Sequence, residues 1–157
     1  WGCCSQTKGS LFLMKKIALL AVAALMLSGC SSTVTVEPAA DANNPKCAEV
    51  IVRLPSDVEG MPKRVTGAQS TAAWGEPTHV LLRCGLDPVY TSKLQCVTQA
   101  GIDWLIDDSK APSYRFITFG RKPAAEVIMD SRVISGAAVL DAMAPSVQYL
   151  PSTRTCG

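Results

Sequence analysis

The side chains able to do chemistry in this 157-residue chain are few and scattered. His79 is the single histidine, so a Ser-His-Asp relay would have to run through it. Ser70, Ser113 and Ser135 are the serines nearest to useful contexts, but none sits in a G-x-S-x-G elbow, the sharp turn that exposes a nucleophile. Asp103, Asp107 and Asp108 supply carboxylates. On a strand Asp103 and Asp107 share a face, which suits acid–base work, although turns and solvated edges use the same residues more often. Arg83, Arg115 and Arg121 lie in or beside apolar runs. If Arg83 and Arg115 meet on adjacent strands, they offer a forked site for a phosphate or carboxylate; structural pairing with Asp or Glu is the competing and commoner fate. Trp74, in Trp74-Gly75-Glu76-Pro77, either lines a pocket or plugs the edge of the core. Gly-rich phosphate loops are absent from the sequence. With no compelling nucleophile–base pair, the expectation is a protein that is not an enzyme and uses no cofactor.

Cysteine is the residue type with the clearest chemistry. Met14-Lys15-Lys16 opens a positive segment, and Ile17 to Leu27 is an apolar run of eleven residues. That is too short for a relaxed membrane-spanning helix, which needs ~20 residues, but it suits the apolar part of a signal peptide. Leu27-Ser28-Gly29-Cys30 then resembles the lipobox of bacterial lipoproteins. Two small residues let an extended chain enter a narrow peptidase site, and the Cys30 thiol is free to take a diacylglyceryl thioether. The expected division is residues 1–13 as upstream translation, 14–29 as a lipoprotein signal peptide, 30–44 as a flexible tether and 45–157 as one globular domain. Cys3 and Cys4 become palmitoylation candidates only if the longer leader is genuine.

Four cysteines remain in the body, Cys47, Cys84, Cys96 and Cys156. An even number in an exported domain reads as two disulfides with three connectivities. Local pairing of two neighbouring strands favours Cys84–Cys96, and stapling of the ends favours Cys47–Cys156. A zinc or redox site is a poor fit, because the body has no C-x-x-C and one histidine, so no metal is expected.

Charge excludes another class. Lys8, Lys15 and Lys16 lie in the leader, and without them 12 basic residues face 13 acidic ones. The body has no footprint for nucleic acid.

The elements that must position these residues follow from local pattern. Asn44-Pro45 marks a helix start over residues 45–53, with a strand as the alternative because Val50-Ile51-Val52 is β-branched. Residues 55–77 are rich in Pro, Gly and polar side chains and read as loop. Strands are expected over 79–86, 94–99, 102–107, 114–119 and 125–129, with hairpins at Ala100-Gly101 and Gly120 to Pro123. Ser135 caps a helix from Gly136 to about Val147, with Val139, Leu140, Met143 and Val147 near one face. The fold class is α+β: one antiparallel sheet of four or five strands, a short N-terminal helix and a C-terminal helix, stapled by two disulfides.

Several separated stretches carry a resemblance. Cys47-Ala48-Glu49-Val50, Thr71-Ala72-Ala73-Trp74-Gly75-Glu76-Pro77 and Leu81-Leu82-Arg83-Cys84-Gly85 are similar to the actinobacterial exported proteins called domain of unknown function 3515. Gly101 to Leu105, Tyr114 to Arg121 and the terminal cysteine look like the same family. The resemblance covers about 45–157. It implies a small secreted or lipid-anchored envelope protein and no particular activity.

The expected function is therefore a lipid-anchored, extracytoplasmic, noncatalytic binding or accessory module. Its partners would be the membrane, through the diacylglyceryl anchor, and an unidentified envelope protein or ligand. Trp74, Arg83, Arg115 and Arg121 are its candidate binding residues. A carrier with an apolar cavity for a lipid or glycolipid is the first alternative, and a small envelope hydrolase the second.

Overall fold

Asn44 begins the first helix as its sequence demands. In the computed structural model, which describes residues 32–157, the Asn44 side chain accepts a hydrogen bond from the Lys46 N–H at 2.9 Å and Pro45 takes the first position of α1 (Pro45–Ile51). This cap satisfies one of the amides a helix start leaves open. The expected upstream segment 1–13, signal peptide 14–29 and lipidated Cys30 lie outside the described residues.

The stretch 55–77 is a correction: it holds three strands, β1 (Asp57–Val58), β2 (Met61–Arg64) and β3 (Thr71–Trp74). The polar Glu59-Gly60 pair is a two-residue turn with both φ values positive, a geometry matched to strand twist. Asp57 Oδ1 accepts from the Gly60 N–H at 2.7 Å. The β3 strand carries no period-2 signal because all four of its residues are buried. The later elements follow the expected spans: β4 (Val80–Leu86), β5 (Gln95–Gln99), β6 (Ile102–Lys110), β7 (Ser113–Thr118), β8 (Ala124–Asp130) and α2 (Gly136–Val147), whose cap Ser135 accepts from the Ala138 N–H at 3.2 Å.

The strands form one antiparallel sheet of eight, in the order β1-β2-β3-β4-β8-β7-β6-β5, rather than four or five. The extra strands come from 55–77. Two meanders, β1 to β4 and β5 to β8, meet where β4 pairs with β8. One face carries α1 and α2 over a core of Trp74, Val80, Leu82, Trp104, Phe116, Val127, Met129 and the apolar stripe of α2. The molecule is α+β, with the alternate residues of β4, β7 and β8 left to form the opposite, outer face.

Both disulfides are present, but not in the expected pairs. Cys47 joins Cys84 with Cα atoms 5.5 Å apart, and Cys96 joins Cys156 at 6.0 Å. Cys84 lies on β4 and Cys96 on β5, with β8, β7 and β6 between them. Four strand spacings come to about 19 Å, far beyond the ~7 Å a disulfide can bridge. The segment after Thr33 also departs from the free tether expected. Val34 makes a parallel bridge with Thr66, the Asp41 N–H donates to the Gly85 carbonyl at 2.9 Å, and Ala42 is buried.

Candidate functional site

The outer face is organised around one carboxylate. Glu126 on β8 is fully buried although it faces away from the helices. Arg83 stands directly opposite on β4, and Ile117 of β7 opposite on the other side, two residues from Arg115. Arg83 Nε donates to Glu126 Oε1 at 2.5 Å and its Nη2 pairs with the same oxygen, while Arg115 Nε donates to Oε2. Arg83 Nη1 also donates to the Glu37 carbonyl at 3.1 Å. So Arg83 and Arg115 converge not from adjacent strands but across β8, which lies between β4 and β7, and a buried carboxylate of β8 sits between them. Two cations on one anion leave a single positive charge. A buried charge survives only with partners of this kind.

The two arginines are spent unequally. Arg83 uses three nitrogens, whereas the two terminal nitrogens of Arg115 make no hydrogen bond to the described residues. Arg115 borders a cleft of about 370 Å³ that also contains Asp107, Lys110, Ser113 and Ile128. Lys110 and Ser113 come together because they flank the β6–β7 turn and oppose each other in register. The Asp107 carboxyl is held below its usual range, first by hydrogen bonds from Ser109 and then by the charges of Arg115 and Lys110. The cleft thus offers a guanidinium edge, an ammonium and a hydroxyl beside two carboxylates, Asp107 and Glu126, that are already engaged. That set is suited to an oxyanion.

Two candidate binding residues belong elsewhere. Trp74 is fully buried and its Nε1 donates to the Pro55 carbonyl at 3.1 Å, so it is core, not an exposed anchor. Arg121 is buried, and its Nη1 donates to the Leu150 carbonyl and, at 3.4 Å, to that of Gln148. It ties down the carbonyls that follow α2, and burial pulls its pKa below the usual arginine value.

The catalytic candidates are dispersed. Asp103 Oδ1 accepts from the Thr98 hydroxyl at 2.5 Å and Oδ2 from the Cys156 N–H at 2.9 Å; it fastens the C-terminal tail. Four residues along one strand separate it from Asp107, about 13 Å, too far for a carboxylate pair. Asp108 lies near the end of β6, where its carbonyl accepts from the Ala111 N–H of the β6–β7 turn. Ser70 Oγ donates to the Ala42 carbonyl at 2.5 Å, and Ser135 is a helix cap. His79, Ser113 and Asp130 do border one cleft of about 440 Å³. However, Arg132 holds Asp130 through its Nε and Nη2, at 3.0 and 2.7 Å, and depresses the carboxyl to about 2. No hydrogen bond links the His79 side chain to either residue among those described.

A further cleft of about 390 Å³ opens between β5–β7 and the start of α2, with Val97, Ile106, Tyr114, Phe116 and Leu140 in its wall. Among the described residues no group of three His, Cys, Asp or Glu could hold a metal ion, and no helix is long and apolar enough to cross a membrane.

Glu126, Lys110 and the role of Ser113 at the cleft escape sequence reasoning. The signal for Glu126 is in the chain: it is the lone charge within Ala124-Ala125-Glu126-Val127-Ile128-Met129, and a charge inside an apolar strand needs a partner. Lys110 carries no such signal. In comparison with known proteins, the model of a family described as a protein of unknown function (DUF3515) matches residues 11–154. No curated protein and no solved structure matches.

Proposed function

We propose that this chain, which belongs to the DUF3515 family, is a lipid-anchored extracytoplasmic protein of the bacterial envelope that works by binding and not by catalysis. The observation that carries the binding role is the Arg115 cleft. Glu126 fixes the guanidinium through its Nε, and Arg115 shares the cleft with Lys110 and Ser113. The ligand is an oxyanion, a phosphate or a carboxylate, carried by an envelope molecule. Anchoring is supported by the pattern Lys15-Lys16, apolar run, Leu27-Ser28-Gly29-Cys30 and by two disulfides in the domain that follows, a feature of oxidising compartments.

Titration of the purified protein with inorganic phosphate and with citrate tests the site. Chemical-shift changes should centre on residues 110–115, and Lys110→Gln, which leaves the Arg83–Glu126–Arg115 network intact, should weaken binding severalfold without lowering the melting temperature. Equal affinity in the variant overturns the assignment. Mass spectrometry of the Cys30 peptide tests the anchor, and a mature chain without a diacylglyceryl group rejects it.

The apolar cleft beside α2 supports a second reading, a carrier of a lipid or glycolipid chain. Native mass spectrometry of the protein taken from its own membrane separates the two, because a carrier retains lipid.

A further inference from the structure

The docked N-terminal segment changes how far the domain can stand from a membrane. Fifteen free residues would let it reach tens of ångströms. Instead Val34 is already part of the sheet's margin: its N–H donates to the Val65 carbonyl at 2.9 Å, and its own carbonyl accepts from Gly67 at 3.0 Å. Four residue steps separate Cys30 from Val34, and they span at most about 14 Å fully extended. The headgroup region on each side of a bilayer is itself ~5–8 Å deep. A domain acylated at Cys30 therefore keeps the end of β2 at the membrane surface.

The side chains close to that leash have the composition of an interface with lipid. Val65 is 67% exposed and Val52 is 77% exposed. Lys63, two residues before Val65, reaches the Ile51 carbonyl next to Val52, at 3.5 Å. Arg53 lies over the ring of Tyr149, 4.0 Å from its centroid, and Tyr149 is itself partly exposed. Of the five exposed large hydrophobic residues among those described, Val52, Val65 and Tyr149 are thus linked to this neighbourhood. Aliphatic side chains, a tyrosine and long basic stems are the mixture that lies at a headgroup boundary, with apolar parts buried and polar ends wet. Of the nearby acids, Glu49 is paired with Lys46, Asp57 is engaged by Gly60, and Glu59 stands on the β1–β2 turn. The charges of Asp57 and Glu59 offset part of the attraction, so apolar contact and the short leash carry the association.

We infer that the face bearing Val52, Lys63, Val65 and Tyr149 lies directly on the bilayer. This orients the molecule, with β5 at the far edge of the sheet. The inference rests on acylation at Cys30.

The test uses the mature, acylated protein in vesicles of phosphatidylcholine and phosphatidylglycerol with brominated acyl chains, which quench a nearby indole. Val65→Trp and, separately, Tyr149→Trp add a reporter at exposed positions, while Trp74 and Trp104 are buried and supply a constant background. The added indole should lose most of its emission in both variants. Leu94→Trp, just before β5 and six strand spacings from β2, about 29 Å, should be unaffected. Protein that floats with the vesicles but shows no quenching at Val65→Trp or Tyr149→Trp overturns the docking, as does equal quenching at Leu94→Trp. Protein without the diacylglyceryl mass at Cys30 overturns the anchor and the docking together, so the two failures are distinguishable.

Discussion

Glu126 shows how much one residue can organise. Arg83 and Arg115 both pair with it, and it has no exposed surface. Glu126→Gln keeps the shape but leaves two guanidinium groups crowded around a neutral amide. Removing one side of a buried ion pair costs about 3 kcal/mol or more, and urea unfolding should show that loss with an unchanged slope. Trp74 is decided by burial in the same way. Trp74→Ala opens a cavity and should cost about 3–5 kcal/mol, read as a large fall in melting temperature, which is the signature of a core residue and not of an interface anchor. Asp130 supplies a pH test. Its hydrogen bonds from Arg132 lower the folded pKa from 3.8 to about 2. The folded carboxyl is the stronger acid, so its contribution is present above the unfolded pKa and is lost as pH falls through the interval between those values. Asp130→Asn should therefore flatten the acid-induced drop in melting temperature between pH 4 and pH 2 relative to the parent.

At the scale of elements, the segment between Thr33 and Asn44 behaves as part of the fold because the sheet makes room for it at Gly85. That residue has φ +107°, and a Cβ there would come within 2.5 Å of the Asp41 backbone. The same contact holds the Asp41 N–H on the Gly85 carbonyl. Gly85→Ala should cost more than about 1 kcal/mol, since an L side chain is strained at positive φ. It should also free the segment, and limited proteolysis with mass spectrometry should then find new cuts between residues 33 and 44. The end of α2 depends on a comparable long-range contact, because Arg121 from the β7–β8 turn reaches the carbonyls of Gln148 and Leu150.

At the scale of the whole molecule, each disulfide ties a margin to the sheet. Cys47–Cys84 fixes α1 to β4, and Cys96–Cys156 fixes the C-terminal tail to β5. Non-reducing peptide mapping should recover these two pairs and no Cys84–Cys96 peptide. The bridged residues are 37 and 60 positions apart, and on the chain-entropy model each bridge contributes about 4 kcal/mol. Replacing either pair by serine should lower stability by that order, with loss of the 96–156 bridge also loosening the tail that Asp103 holds.

The chain by itself determined its local elements. Asn44-Pro45 and Ser135 mark helix starts through their own side chains, and β4 to β8 carry apolar runs bounded by turn residues, so their spans are legible in neighbouring residues alone. It also determined that the body's cysteines form disulfides, and that Arg83 and Arg115 converge if their strands are close. Only the tertiary structure decided which strands those are. The pairing of β4 with β8 places Glu126 between the arginines, and the same strand order puts Cys84 and Cys96 too far apart to bond. The strands in 55–77 were hidden because an edge hairpin needs no apolar alternation and β3 is buried on both faces. The docking of residues 34–42 was hidden for a related reason. A polar segment can be ordered by backbone hydrogen bonds to a sheet, and such bonds leave no trace in side-chain pattern.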